Sequence, residues 1–257
     1  VERTLGDGFG ILLVPCLLLS FRNYSIRLTL MEEQQRQILQ LSRQHAEEMN
    51  AVHSRMAEAL AFSIASKTQL SGSQLHRSRI YCQELGLLFQ LPPDRFQALE
   101  TASLLHDIGN LAVPAHILLK PGKLSPEEFE TVKRHAGIGA DLLTMVQFPY
   151  PVVPIVRHHH ENWDGTGYPA GLQGDEIPLE ARILAVVQSF VALISERPQR
   201  HALPPAEAME ILHAGAGTRF DPQIVKLLQD HLQRFEEKVA RTPDRLRMNS
   251  LRQETIP

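Results

Sequence analysis

The chain has 257 residues, a formal net charge of -3, and 43% hydrophobic against 21% charged residues. That is room for one sizeable domain with extensions, or two small ones, around an ordinary core, and it gives no electrostatic case for a nucleic-acid polymer as partner. The only cysteines, Cys16 and Cys82, lie far apart, which excludes a disulfide scaffold and fits a reducing compartment, while twelve histidines, several of them clustered, point towards metal.

In chain order, residues 9–21 form the compact apolar run FGILLVPCLLLSF, followed by Arg22 and Arg27. The run is shorter than the roughly 20 residues that cross a bilayer as a helix. Two readings stand: a leader segment, or the end of a membrane helix whose beginning precedes Val1. In the second, which is carried forward for residues 1–27, the basic residues put the rest of the chain in the cytoplasm.

From 28 to 70 the composition turns to Gln, Glu, Arg and Ala. Apolar residues recur at Ile38, Leu41, Met49, Val52, Met56 and Leu60, with His45 filling one place. Spacings of three and four describe a long amphipathic, coiled-coil-like helix with one narrow seam. Such a seam needs a partner, either a second copy (a homodimer through this helix) or the next domain.

The main domain is expected over 71–240. Ser71-Gly72-Ser73 breaks the first helix, and a second carries Leu75, Cys82, Leu85 and Leu88. A third ends in Ser103-Leu104-Leu105-His106-Asp107. After a polar connection, Ser125, Pro126 and Glu128 mark a helix start as N-cap, first helical residue and capping-box partner. Residues 151–162 read as a helix, 164–174 as a Gly-rich loop, 179–195 as a helix opened by Pro178, and Pro222 to Val239 as the last. No alternating strand pattern of useful length occurs, so the fold class is all-α. Residues 241–257 are polar and unpatterned, the signature of a disordered tail.

His106-Asp107 pairs an imidazole, which suits Fe, Mn or Zn, with a carboxylate able to bridge two ions. His158-His159-His160-Glu161 sets three imidazoles between the apolar run 152–156 and Trp163, where their ring nitrogens need partners, and His135 adds another from a helix. These groups together point to a metal site.

The stretch from His106 to Arg200 resembles the HD-GYP family of metal-dependent phosphodiesterases. The matching runs are 105–109 (LHDIG), 119–124 (LKPGKL), His159-His160-Glu161, Trp163-Asp164-Gly165, Gly167-Tyr168-Pro169, 181–186 (ARILAV), Arg197-Pro198 and Phe220-Asp221-Pro222, all in one order. The resemblance implies an HD-type helical bundle that hydrolyses cyclic di-GMP at a centre of two or three metals, with Fe or Mn as the cofactor. Carried over by position, Asp107 bridges two ions, His106 binds the first, and His135, His159 and His160 bind the second. Arg197 and Arg200 fall where the family holds ligand phosphates. The loop Gly167, Tyr168 and Pro169 falls where it meets partner proteins, GGDEF-type signalling proteins among them.

Three departures fall on the chemistry. Asn110 stands in place of a lysine beside the substrate phosphate and supplies no cation. Gln188 stands in place of a metal-binding Asp and keeps an oxygen without its charge. The first-helix ligand, a His in the family, falls on Gln74 without gaps or on His76 with a slip of two. Helix-face spacing favours Gln74, which shares a face with Ser78, Tyr81, Cys82 and Leu85, whereas the face of His76 continues through Gln83 and Glu84. Both losses, at 74 and 188, then serve the same ion, and a one-metal site at Asp107, His135, His159 and His160 is expected. Two functions remain open: an active phosphodiesterase with an altered centre, or a degenerate domain that binds cyclic di-GMP or a partner protein.

Overall fold

The computed structural model describes residues 4–68, 71–196 and 201–244. Among these there is no strand, only nine α-helices and two short 3-10 turns, in keeping with the all-α expectation. The tail beyond 244, and with it most of the segment expected to be disordered, lies outside the described residues.

Helix α1 runs from Thr4 to Thr68 without a break, so the apolar run and the amphipathic segment are one helix. Among the described residues no helix is long and apolar enough to cross a membrane. The chain divides between His53 and Ser54 into two compact units. Among its described residues the first is helix alone, and its seam residues Ile38 and Leu41 are exposed. The second begins well before Ser71, because Ala57, Ala61, Ile64 and Ala65 of the last turns of α1 are buried in its core.

Helix α2 (Gly72–Leu88) starts at Ser71, whose hydroxyl accepts from the Gln74 N–H while the Gln74 side chain accepts from the Ser71 N–H. It lies at the centre of the bundle, against α3 (Pro93–Leu105), α7 (Leu179–Leu193) and α9 (Pro222–Arg241). Tyr81 joins three of these helices, its ring centroid 5.9 Å from Phe190 and 5.5 Å from Phe235, all three fully buried. Because neighbours cover it on several sides, α2 is buried on both faces. Glu84, on the face that includes His76, is 2% exposed and is held by Arg234 at 2.8 Å and Lys238 at 3.4 Å. The His76 face is therefore buried as well, and helix-face spacing alone does not choose between Gln74 and His76.

The turn Ile108–Ala112 and the short α4 (Ala115–Leu118) follow α3. Lys67, at the end of α1, donates to the carbonyls of Leu111 at 2.7 Å and Val113 at 3.2 Å. Helix α5 (Pro126–Val146) opens on the expected capping box and packs on the turn 108–112 and on α6 (Val152–His158). Helix α6 is shorter than the 151–162 expected: it stops at His158, and the chain turns there to carry His159, His160 and Glu161. Helix α8 (Pro205–Ala214) adds an element that the sequence pattern does not mark. Its buried Ala208, Met209 and Leu212 make too short a run for a period to stand out.

Candidate metal centre

Three elements converge on one point. Helix α3 ends at Leu105, so His106 is its C-terminal cap and Asp107 opens the following turn. Helix α5 brings His135, and the turn after α6 brings His159 and His160. One ligand nitrogen from each of the last three lies within 4.8 Å of the others. His135 Nε2 is 3.4 Å from His159 Nε2 and 3.7 Å from Asp107 Oδ1. That spacing fits one ion bound by three imidazoles, with the Asp107 carboxylate beside them.

The backbone orients the rings. His135 Nδ1 lies 2.7 Å from the Val132 carbonyl and His159 Nδ1 lies 2.6 Å from the Val156 carbonyl. Each Nδ1–H thus donates to a carbonyl, and each Nε2 lone pair faces the cluster, the outer contact that fixes a metal-binding histidine. Burial first, then the neighbouring imidazoles, push His159 well below the ordinary histidine range; burial and His135 push His160 down to about 3. Neutral rings able to donate lone pairs are what such a site requires. Burial pushes the Asp107 carboxyl up, but His106, His135 and His159 outweigh it and hold it well below the usual carboxylate range.

Two glycines make the convergence sterically possible. A Cβ on Gly109 would lie 1.9 Å from the His135 carbonyl oxygen and 2.7 Å from the Gly139 nitrogen, so the turn can rest on α5 only without one. A Cβ on Gly167 would lie 2.2 Å from the Asn162 nitrogen. This lets the loop double back, and there Tyr168 N–H donates to the His160 carbonyl at 3.1 Å while its ring stacks on His160 at 4.8 Å. Pro169 follows through a cis peptide bond.

Glu161 has a structural task. It is 4% exposed, and its two oxygens accept from the N–H groups of Ala170 at 2.8 Å and Gly171 at 3.0 Å, with His158 3.2 Å away. Its carboxylate closes the Gly-Tyr-Pro loop onto the cluster.

The altered positions sit as follows. Asn110 Nδ2 donates to Asp107 Oδ1 at 3.0 Å, and its own Oδ1 is buried without a partner. Gln188 Nε2 lies 3.2 Å from His106 Nδ1, while His106 Nε2 lies 3.2 Å from Asp107 Oδ2. His106 and Gln188 thus meet beside Asp107, with the His106 ring 5.4 Å from that of His159. Gln74 caps α2 through Ser71 at 2.9 Å, and His76 is buried with its Nε2 unpartnered; neither lines the cavity at the cluster. Arg197 and Arg200 lie outside the described residues.

That cavity holds about 970 Å³ and is lined by His106, Asp107, His159, His160, Gly167, Tyr168 and Gln188 of the residues expected at the site. Its wall also carries Phe129, Lys133, Arg219 and Phe220. Of these, sequence patterns single out only Phe220, within Phe220-Asp221-Pro222; a lone Arg at the end of a loop gives no signal of its own.

A sequence model described as the HD domain matches residues 26–224. The chain is 35% identical over 187 residues to a 3'3'-cGAMP-specific phosphodiesterase of Vibrio cholerae, covering 72% of this chain and 36% of that one. It is 40% identical over 177 residues to the cyclic di-GMP phosphodiesterase response regulator RpfG of Xanthomonas campestris, covering 68% and 46%. A solved HDG"Y"P protein of Bdellovibrio bacteriovorus superposes with a TM-score of 0.54 at 21% identity, over 72% of this chain and 64% of that one, a likeness of fold. The chain spans less than half the length of the two curated relatives.

Proposed function

The chain belongs to the HD domain family, in its HD-GYP group, and from that membership we propose that it is a metal-dependent phosphohydrolase acting on a cyclic dinucleotide, cyclic di-GMP foremost. The observation that carries this is the cluster of His135, His159 and His160 with Asp107, at the edge of a cavity of about 970 Å³. A divalent transition metal, Fe or Mn, would be held by these four groups. It would supply Lewis acidity at a phosphoryl oxygen.

The protein's own groups do the rest. The backbone carbonyls of Val132 and Val156 keep two of the imidazoles aimed inward. Asn110 steadies Asp107 through a neutral amide, without the cation that would offset charge growing on the phosphoryl oxygens. His106, with Asp107 on one side and Gln188 on the other, is placed to hold or pass a proton beside the cluster. Tyr168, stacked on His160, closes one side of the cavity. The seam of α1 takes a second copy of the chain, and the Gly-Tyr-Pro loop a signalling protein.

A second reading, a domain that binds the cyclic dinucleotide without cleaving it, draws on Asn110 and Gln188 at the altered positions. Incubation of the full chain with cyclic di-GMP and with 3'3'-cGAMP, under anaerobic Fe(II) or Mn(II), separates the two. Linear dinucleotide formed well above an Asp107→Ala control establishes the enzyme. Binding without turnover establishes the receptor.

A further inference from the structure

Two cations reach the cavity from separate elements, Lys133 on α5 and Arg219 in the turn between α8 and α9. Each is set against an aromatic ring. Lys133 Nζ lies 4.9 Å from the centre of the Phe129 ring and 5.7 Å from that of Tyr168, and the Arg219 guanidinium lies 5.0 Å from that of Phe220. Since Tyr168 stacks on His160, Lys133 stands one ring beyond the metal-binding cluster.

The carboxylates on that wall are engaged elsewhere: Glu161 with the loop amides, Asp107 with Asn110 and His106. Among the described residues Arg219 makes no ion pair with a carboxylate. Lys133 makes one at 2.6 Å, with Glu130 one turn away on its own helix, and Glu130 is 64% exposed. A surface pair of that kind yields readily to a better anion. Wall cations without strong partners, beside a cluster suited to a metal ion, offer a place for an anionic group of the ligand.

We propose that Lys133 and Arg219 form a second phosphate subsite, holding the phosphodiester of a cyclic dinucleotide that is not at the histidine cluster. This rests on the function proposed above. Guanidinium grips two phosphate oxygens side by side, and the ammonium adds a point charge from another direction.

The test uses the full chain loaded with Mn(II), as wild type, Lys133→Gln, Arg219→Gln, Arg219→Lys and the double Gln variant. Calorimetry measures affinity for cyclic di-GMP and for GMP, which carries a single phosphate, and metal content is assayed alongside. Each Gln variant is expected to weaken cyclic di-GMP binding roughly tenfold, and the double variant further. Arg219→Lys should recover part of the loss, GMP affinity should shift less than about twofold if the subsite takes only the second phosphate, and metal content should stay at the wild-type value. Unchanged cyclic di-GMP affinity in the double variant overturns the subsite and leaves the proposed function standing. Equal losses for GMP and the dinucleotide also overturn it, since the cations would then serve the first phosphate. If wild type binds neither cyclic di-GMP nor 3'3'-cGAMP, the proposed function falls and the subsite falls with it.

Discussion

Asn110 donates its side-chain amide to Asp107 Oδ1 at 3.0 Å, the same oxygen that lies 3.7 Å from His135 Nε2. The residue that departs from the family's lysine therefore rests on the carboxylate that would hold the metal. It fixes that carboxylate without adding charge.

Asn110→Lys should accordingly raise the rate of cyclic dinucleotide hydrolysis, on the order of tenfold to a hundredfold, the scale of one electrostatic donor at a reacting phosphate. Steady-state rates at matched metal content check this. An unchanged rate means that the missing cation is not what limits the site.

Gly109→Ala should disrupt the centre without replacing a ligand. Its Cβ would meet the His135 carbonyl oxygen at 1.9 Å, and backbone cannot move aside as a flexible side chain does. A stability loss of about 3 kcal/mol and a fall in bound metal are expected, read by urea denaturation and metal analysis. Full metal content at wild-type stability would show that the turn 108–112 adapts independently of α5.

Gln188→Asp restores a charged oxygen next to His106, from which Gln188 Nε2 is now 3.2 Å away. Metal stoichiometry should rise from one towards two per chain, because a carboxylate is a far better ligand than an amide for a hard or borderline divalent ion. Elemental analysis after loading decides the matter. No rise would place the deficiency at the first-helix position instead.

Arg182 is a structural pin under the Gly-rich loop: it meets Asp221 at 2.8 Å and Asp175 at 2.9 Å, and lies 5.4 Å from the Trp163 ring. Asp221 is 5% exposed, so Arg182→Met leaves a buried carboxylate and should cost about 3 kcal/mol or more. Arg157→Met breaks a pair with an Asp141 that is 70% exposed, and should cost less than about 1 kcal/mol. Parallel denaturation curves compare them, and equal losses would contradict this assignment.

The parts of the site legible in the sequence are those whose neighbours carry a pattern of their own. His106-Asp107 and His159-His160-Glu161 stand within runs that fix their place, and the capping box at Ser125 and Glu128 dates the start of the helix that carries His135. Glu161 shows the limit. Its adjacency to the histidines suggested metal chemistry, whereas its oxygens serve two amides nine and ten residues further on, which no local spacing reveals. Gln74 and His76 mark another. Face analysis assumes one inner face, and α2, surrounded by three helices and the end of α1, has more than one. Lys133 and Arg219 meet only through the closure of the fold, from positions 86 residues apart.

The hydrogen bonds from Lys67 to the carbonyls of Leu111 and Val113 have a mechanical meaning. Lys67 lies in the last turn of a 65-residue helix, and Leu111 adjoins Asn110, whose amide holds Asp107. Lys67 thus ties the last turn of α1 to the turn 108–112, and that same turn presents the amide that holds Asp107. The place of the Asp107 carboxylate is therefore set partly by where a helix begun some sixty residues earlier comes to its end.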